Sequence, residues 1–291
     1  MSSAAVTREL NDPAVPNWKE VQLEDTWPDS LDLGTFSGAW HFTKLIFGKR
    51  RPVSVPSSLL EQVAIPKYVL QEFHNLPNGN YSRRFSRGYI TGFDISMLGY
   101  ADVARGWIAS RLKSCHAVVD VGTAGGKTGR AIKDAGVEEV WGIDPSPYLL
   151  KHAAEDHPCV KFVPGVAEDL PFPDKRLDGV AACFLFHEVP PKYARLAFAS
   201  FNRVLKVGGK VIVAEPSEQQ LESFKLKEFF GKKGWLKVYF KTLANFVHEP
   251  FLDAWHSHNK LELFENAGFA VVELEQGLPI NYYHLEKVRD I

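Results

Sequence analysis

Short apolar runs alternate with segments of helical periodicity through the second half of the chain. Residues 117–121 read AVVDV, and such a β-branched run predicts a parallel strand covered on both faces. Runs at 140–144, 160–163, 177–184 and 210–215 predict four more strands. Between them, residues 147–154 and 193–205 space their apolar positions as helices do, and the run 206–209, KVGG, predicts a turn that stops the second. Residues 260–267 predict a helix ended by Gly268. Residues 269–274 and 279–285 flank Gln276 and Gly277, which predicts a hairpin adding an antiparallel strand. The sum is a doubly wound α/β fold with a mostly parallel, seven-stranded sheet.

The flanking segments follow other patterns. Residues 1–34 are polar and hold Pro13, Pro16 and Pro28, which predicts an arm without a core of its own, pinned by Trp18 and Trp27. Residues 35–112 predict a mainly helical cap. Within it, residues 40–51 mix aromatic and basic side chains. The plain reading is an amphipathic helix docked on the core and ended by Gly48. The alternative is a surface that touches anionic lipid headgroups. Residues 57–73 have helical spacing interrupted by Pro66, 74–94 read as a turn-rich stretch with arginines, and 95–112 as a helix. Residues 218–258 break the strand alternation again. Phe229, Phe230, Trp235, Tyr239, Phe240, Phe246, Phe251 and Trp255 run through them at helical spacing, which predicts packing and, after the fifth strand, a roof over a substrate pocket.

Composition narrows the class. The chain has 291 residues, with 34 Lys and Arg against 35 Asp and Glu, so no overall field draws it to nucleic acid. Its three cysteines, Cys115, Cys159 and Cys183, lack metal spacing and point to a reducing, cytoplasmic setting. No apolar run has the length of a membrane span. His256 and His258 flank Ser257 without a companion carboxylate–histidine pattern, so no bound metal is expected.

Chemistry concentrates at Gly122-Thr123-Ala124-Gly125-Gly126-Lys127-Thr128, between the first strand and the next helix. Glycines allow a sharp turn, and the helix N-terminus adds its positive end. A phosphate-binding G-x-x-x-x-G-K-[ST] loop fails, because Val121 stands where the first glycine belongs. A G-x-G-x-x-G dinucleotide fingerprint also fails, because Ala124 occupies its first position. The frame D-x-G-x-x-x-G fits Asp120, Gly122 and Gly126. Asp144 ends the next strand, about twenty residues on, where a carboxylate meets ribose hydroxyls. Its plainer role is to cap the helix that begins near Pro145.

These motifs carry a specific resemblance. VVDVGTAGG, GIDPSPYLLKHA, AEDLPFPDKRLDGVAACFLFHEVP and FNRVLKVGGKVIVAEPS, within about residues 115–217, resemble class I S-adenosylmethionine-dependent methyltransferases of the branch that includes quinone C-methyltransferases. The resemblance implies a Rossmann-like domain over 113–291 that binds S-adenosylmethionine and releases S-adenosylhomocysteine. It implies cofactor contacts from Asp120, Gly122, Thr123, Ala124, Gly126, Asp144, Pro145 and Phe184. It also implies an adenine slot at Ala167 and Glu168, although Val166 stands where the family commonly has Asp. Related enzymes cover the site with an N-terminal segment. On that reading Tyr81 and Tyr89 line the transfer channel, and Arg84 pairs with the methionine carboxylate.

At the end of the fourth strand, His187 or Glu188 is expected to orient the substrate or accept a proton; a purely structural His187 is the competing reading. Glu215, Trp255 and His256 are expected on the substrate side. The methyl is already electrophilic, so the protein's work is alignment and exclusion of water. The acceptor is expected to be a small, apolar or aromatic molecule. A non-catalytic cofactor-binding module, a non-methyl use of the same cofactor, and a nicotinamide enzyme are the competing classes.

Overall fold

A computed structural model describes residues 11–56, 64–221, 231–247 and 249–291. Residues 1–10 of the expected arm, 57–63 of the expected helical stretch, and Phe229 and Phe230 lie outside the described residues. Seven strands form one sheet: β1 (Ala117–Val121), β2 (Glu139–Asp144), β3 (Lys161–Pro164), β4 (Leu177–Cys183), β5 (Leu205–Pro216), β6 (Phe269–Glu275) and β7 (Ile280–Lys287). Their order is β3-β2-β1-β4-β5-β7-β6. The first five run parallel, and β7 is antiparallel to both β5 and β6. The expected α/β fold, hairpin included, is the fold observed.

The strand pattern explains the layers. Side chains alternate across a strand, so Ala117, Val119 and Val121 enter one core and Val118 the other. The first core is aromatic: Phe198 and Phe201 from α6 (Pro191–Val204) meet Phe186, Phe264 and Trp255. The second takes Ile108 and Leu112 from α3 (Tyr100–Leu112), Ile132 from α4 (Lys127–Asp134) and Leu150 from α5 (Pro147–Asp156). Helices therefore cover both faces.

Three expectations change. The KVGG run does not stop α6. Val204 leads directly into β5, and residues 206–209 form an irregularity in the strand, where pairing jumps from Leu177–Leu205 to Gly179–Lys210. The turn-rich stretch is largely helix. Ser82 caps α2 (Arg83–Ser96) by accepting from Phe85 N at 3.1 Å, and left-handed Leu98 and Gly99 separate it from α3. Helix α1 (Phe36–Phe47) ends at Gly48 as expected, yet it buries none of its residues.

The arm lies on the domain. Trp18 is buried and donates its indole N–H to Phe162 O at 2.9 Å, while Tyr148 donates to Glu24 O at 2.7 Å. The 218–258 segment holds α7 (Lys232–Phe246) and α8 (Leu252–Ser257), and α9 (Lys260–Asn266) follows it.

Candidate functional site

The loop after β1 is held from below and from the side. Asp120 is the penultimate residue of β1 and is buried. Its Oδ2 accepts from Thr123 Oγ1 at 2.5 Å and from Gly129 N at 3.0 Å, tying the loop to α4. Asp144 stands at the tip of β2 and accepts from Ala124 N at 3.0 Å and Ser146 N at 2.8 Å. Burial pushes both carboxyls up to about 7, against the pull of these hydrogen bonds. Gly126 is left-handed, at φ +78°, and a Cβ there would stand 2.6 Å from Phe162 Cζ, so only glycine lets the loop sit this close to the sheet. Ala124 is also left-handed, at φ +46°. Ala124→Gly is therefore expected to stabilise the protein by about 0.5–1 kcal/mol, seen as a higher Tm in thermal unfolding. An unchanged or lower Tm would show that Ala124 bears no strain.

A cavity opens above this loop, at the carboxyl ends of β1, β2 and β4, and encloses about 1190 Å³ including the solvent at its mouth. Gly122, Thr123, Ala124, Asp144, Pro145, Ala167, Glu168 and Phe184 line it, as do Tyr81 and Tyr89 from the cap. An aromatic wall runs along one side: Tyr89 lies 6.2 Å from Phe93, and Phe93 lies edge-on to Phe184 at 5.4 Å. Among the described residues, two buried oxygens on the lining residues have no partner, Glu168 Oε2 and Asn80 Oδ1. Buried acceptors of this kind call for a ligand that brings donors.

The segment after β4 is fixed by Glu215, which is fully buried. Its carboxylate accepts from Leu185 N at 2.8 Å, Phe186 N at 2.6 Å and His187 N at 3.3 Å, and pairs with His187 Nδ1 at 2.8 Å. This clamp holds Phe184 at φ +59° and brings Glu188 to the cavity. Burial disfavours a charged His187, but Glu215 overcomes it and raises the imidazole to about 9. Glu188 lies 2.9 Å from His74 Nε2 of the cap. Burial would raise its carboxyl, yet the charge and hydrogen bond of His74 hold it below the usual range.

Several expected site residues lie elsewhere. Asp120 and Gly126 shape the loop from beneath and do not line the cavity. His187 and Glu215 are sealed under the β4 segment, and a histidine kept protonated is no base at neutral pH. Arg84 is exposed and donates to Leu31 O at 2.6 Å. Five residues along α2 turn it about 140° away from Tyr89. Among the described residues, the cations that do line the cavity are Arg105 and Lys127, which share Asp94; the Arg105 contact is 2.6 Å. Trp255 stacks on Phe186 at 5.3 Å in the core, and His256 Nε2 meets Pro216 O at 3.1 Å. Among the described residues, no side chain of 218–258 reaches the cavity; its walls come from the cap and the strand tips. Tyr68, which donates to Glu168 Oε1 at 2.5 Å from a hundred residues upstream, gave no signal in the sequence.

A family described as "Methyltransferase domain" matches residues 119–213. An uncharacterised methyltransferase of Synechocystis is 35% identical over 158 residues, covering 53% of this chain and 67% of that one. A demethylmenaquinone methyltransferase of Renibacterium salmoninarum is 34% identical over 108 residues, covering 37% of this chain and 44% of that one. The chain thus spans 44–67% of the length of these curated relatives and others like them. A TehB-like S-adenosylmethionine-dependent methyltransferase structure from Corynebacterium glutamicum shares 15% identity at a TM-score of 0.48, over 70% of this chain and 98% of that one.

Proposed function

This chain belongs to the class I S-adenosylmethionine-dependent methyltransferases, and from that premise we propose that it methylates a small, largely apolar, ring-bearing acceptor. The cofactor supplies an electrophilic methyl on a sulfonium. The residues fit its chemistry. Asp144 faces the cavity as an acceptor for ribose hydroxyls, and the unpartnered Glu168 Oε2 is an acceptor for an adenine amine. Arg105 and Lys127 supply positive charge for a carboxylate.

The observation that carries the acceptor class is the aromatic wall of Tyr89, Phe93 and Phe184. Flat apolar rings suit such a surface, with a few polar groups to orient them. The Renibacterium relative is named for demethylmenaquinone, a quinone, which supports the same class. Glu188 is the side chain we assign to the acceptor's proton: it is the one expected catalytic group that faces the cavity, and it is ionised. The 35–112 region acts as the cover that excludes water, because Tyr68, Phe73, Tyr81 and Tyr89 all contribute to the wall.

The direct test incubates the protein with labelled S-adenosylmethionine and either apolar quinols and phenols or polar peptides. Label in the organic extract is expected; label confined to peptides would defeat the proposal. Asp144→Ala is expected to weaken S-adenosylhomocysteine binding by about 1–3 kcal/mol in calorimetry. In the wild type the affinity falls as pH drops through about 7, where Asp144 and the loop brace Asp120 take up protons, and the variant keeps only the part that Asp120 contributes. Unchanged affinity in the variant would remove ribose recognition from Asp144.

A further inference from the structure

Helix α1 exposes what helices usually bury. Phe36 is 89% exposed, Phe47 69% and Trp40 56%. At about 100° per residue these three fall within about 40° of one another, a single aromatic stripe. Phe42, on another face, stacks on Phe85 at 5.1 Å and tethers the helix. The stripe continues onto α7, where Phe246 meets Phe47 edge-on at 5.6 Å and Trp235 is again half exposed. Eleven residues separate Trp235 and Phe246, so they share a face of α7.

The charge along this helix and the residues that follow it is one-sided. Residues 36–51 carry Lys44, Lys49, Arg50 and Arg51 and no Asp or Glu, in a chain whose net charge is −1. All four cations are exposed, and Lys44 Nζ sits 5.4 Å from the Trp40 ring. We propose that α1 and the adjoining end of α7 form a docking surface for an anionic lipid bilayer, with the aromatic stripe in the interface and the cations on the headgroups. A second copy of the chain is disfavoured as the occupant, because a two-fold contact would set this cationic patch against itself. The surface also touches the reaction site. Helix α1 contacts the turn Phe73–Asn75, whose Phe73 lines the cavity, and Asn75 Nδ2 donates to Phe246 O at 2.5 Å. A docked α1 brings that wall of the cavity to the membrane. The proposal does not depend on the acceptor assigned above.

The test is co-sedimentation of the full chain with vesicles of phosphatidylcholine, alone or mixed with phosphatidylglycerol. Binding is expected to the mixed vesicles, with release by salt. Lys44→Glu with Lys49→Glu is expected to weaken it about thirtyfold or more, and Phe36→Ser with Trp40→Ser to abolish it. S-adenosylhomocysteine affinity is expected to stay unchanged in both variants, since α1 buries no residue, and this separates docking from folding. Equal sedimentation with both vesicle types overturns the proposal, as does binding that either variant leaves intact. A dimer in solution that Phe36→Ser with Trp40→Ser converts to monomer, without vesicle binding, assigns the surface to a second copy instead.

Discussion

Glu215→Ala is expected to lower unfolding stability by about 3–5 kcal/mol in denaturant titration, the usual loss when one member of a buried ion pair is removed. The reason is what Glu215 holds: the His187 imidazole and the N–H groups of Phe186 and His187, all buried, and the half-buried N–H of Leu185. Glu215→Gln is the milder comparison, because its uncharged amide oxygen still accepts from Leu185 N and Phe186 N while its NH2 takes the place of the oxygen that meets His187. His187 is raised from 6.5 to about 9, so its stabilising effect is complete below about 6.5 and disappears as pH rises through 9. The gap between wild type and Glu215→Gln should therefore be widest in mild acid and close in alkali. Glu188 at 3.9 Å and Glu249 at 3.8 Å also face His187 Nε2. A gap that does not change with pH would mean that these two, and not Glu215, keep the imidazole charged.

The sheet was legible in the sequence because buried parallel strands require unbroken apolar runs; four of the five runs match their strands to within one residue at each end, and the fifth strand begins five residues before its run, at Leu205. Of the site, the loop and Asp144 were legible and the depth of Asp120 was misjudged. Both aspartates lie near strand ends, but Val121 follows Asp120 within the strand, while Asp144 is the last residue of its own. That single residue of depth turns a rim carboxylate into a brace. The cap was harder to read. Arg105 faces the cavity because α2 and α3 break at Leu98 and Gly99, and only the angle between two helices decides which arginine points inward. The contacts of Tyr68 with Glu168 and His74 with Glu188 join segments about a hundred residues apart, and no local pattern encodes them. Trp255 followed the ordinary rule that aromatics at helical spacing make the core.

Glu188→Gln is expected to reduce kcat by about 100-fold while S-adenosylhomocysteine affinity changes little, if Glu188 accepts the acceptor's proton. Glutamine keeps the size of the side chain and an oxygen for His74, so a purely structural role would spare kcat. His74 gives a second, independent reading. With His74 in place the carboxyl stays low and ionised, and Glu188 contributes no acid limb to the rate near neutral pH. His74→Gln removes the larger of the two opposing charges, leaving burial opposed only by His187, so the carboxyl moves upward. The rate should then acquire a limb that falls with acid, measured at saturating cofactor so that titration of Asp144 does not enter. A flat profile in His74→Gln, together with full turnover in Glu188→Gln, would show that alignment against the aromatic wall suffices and that the acceptor loses no proton to this enzyme.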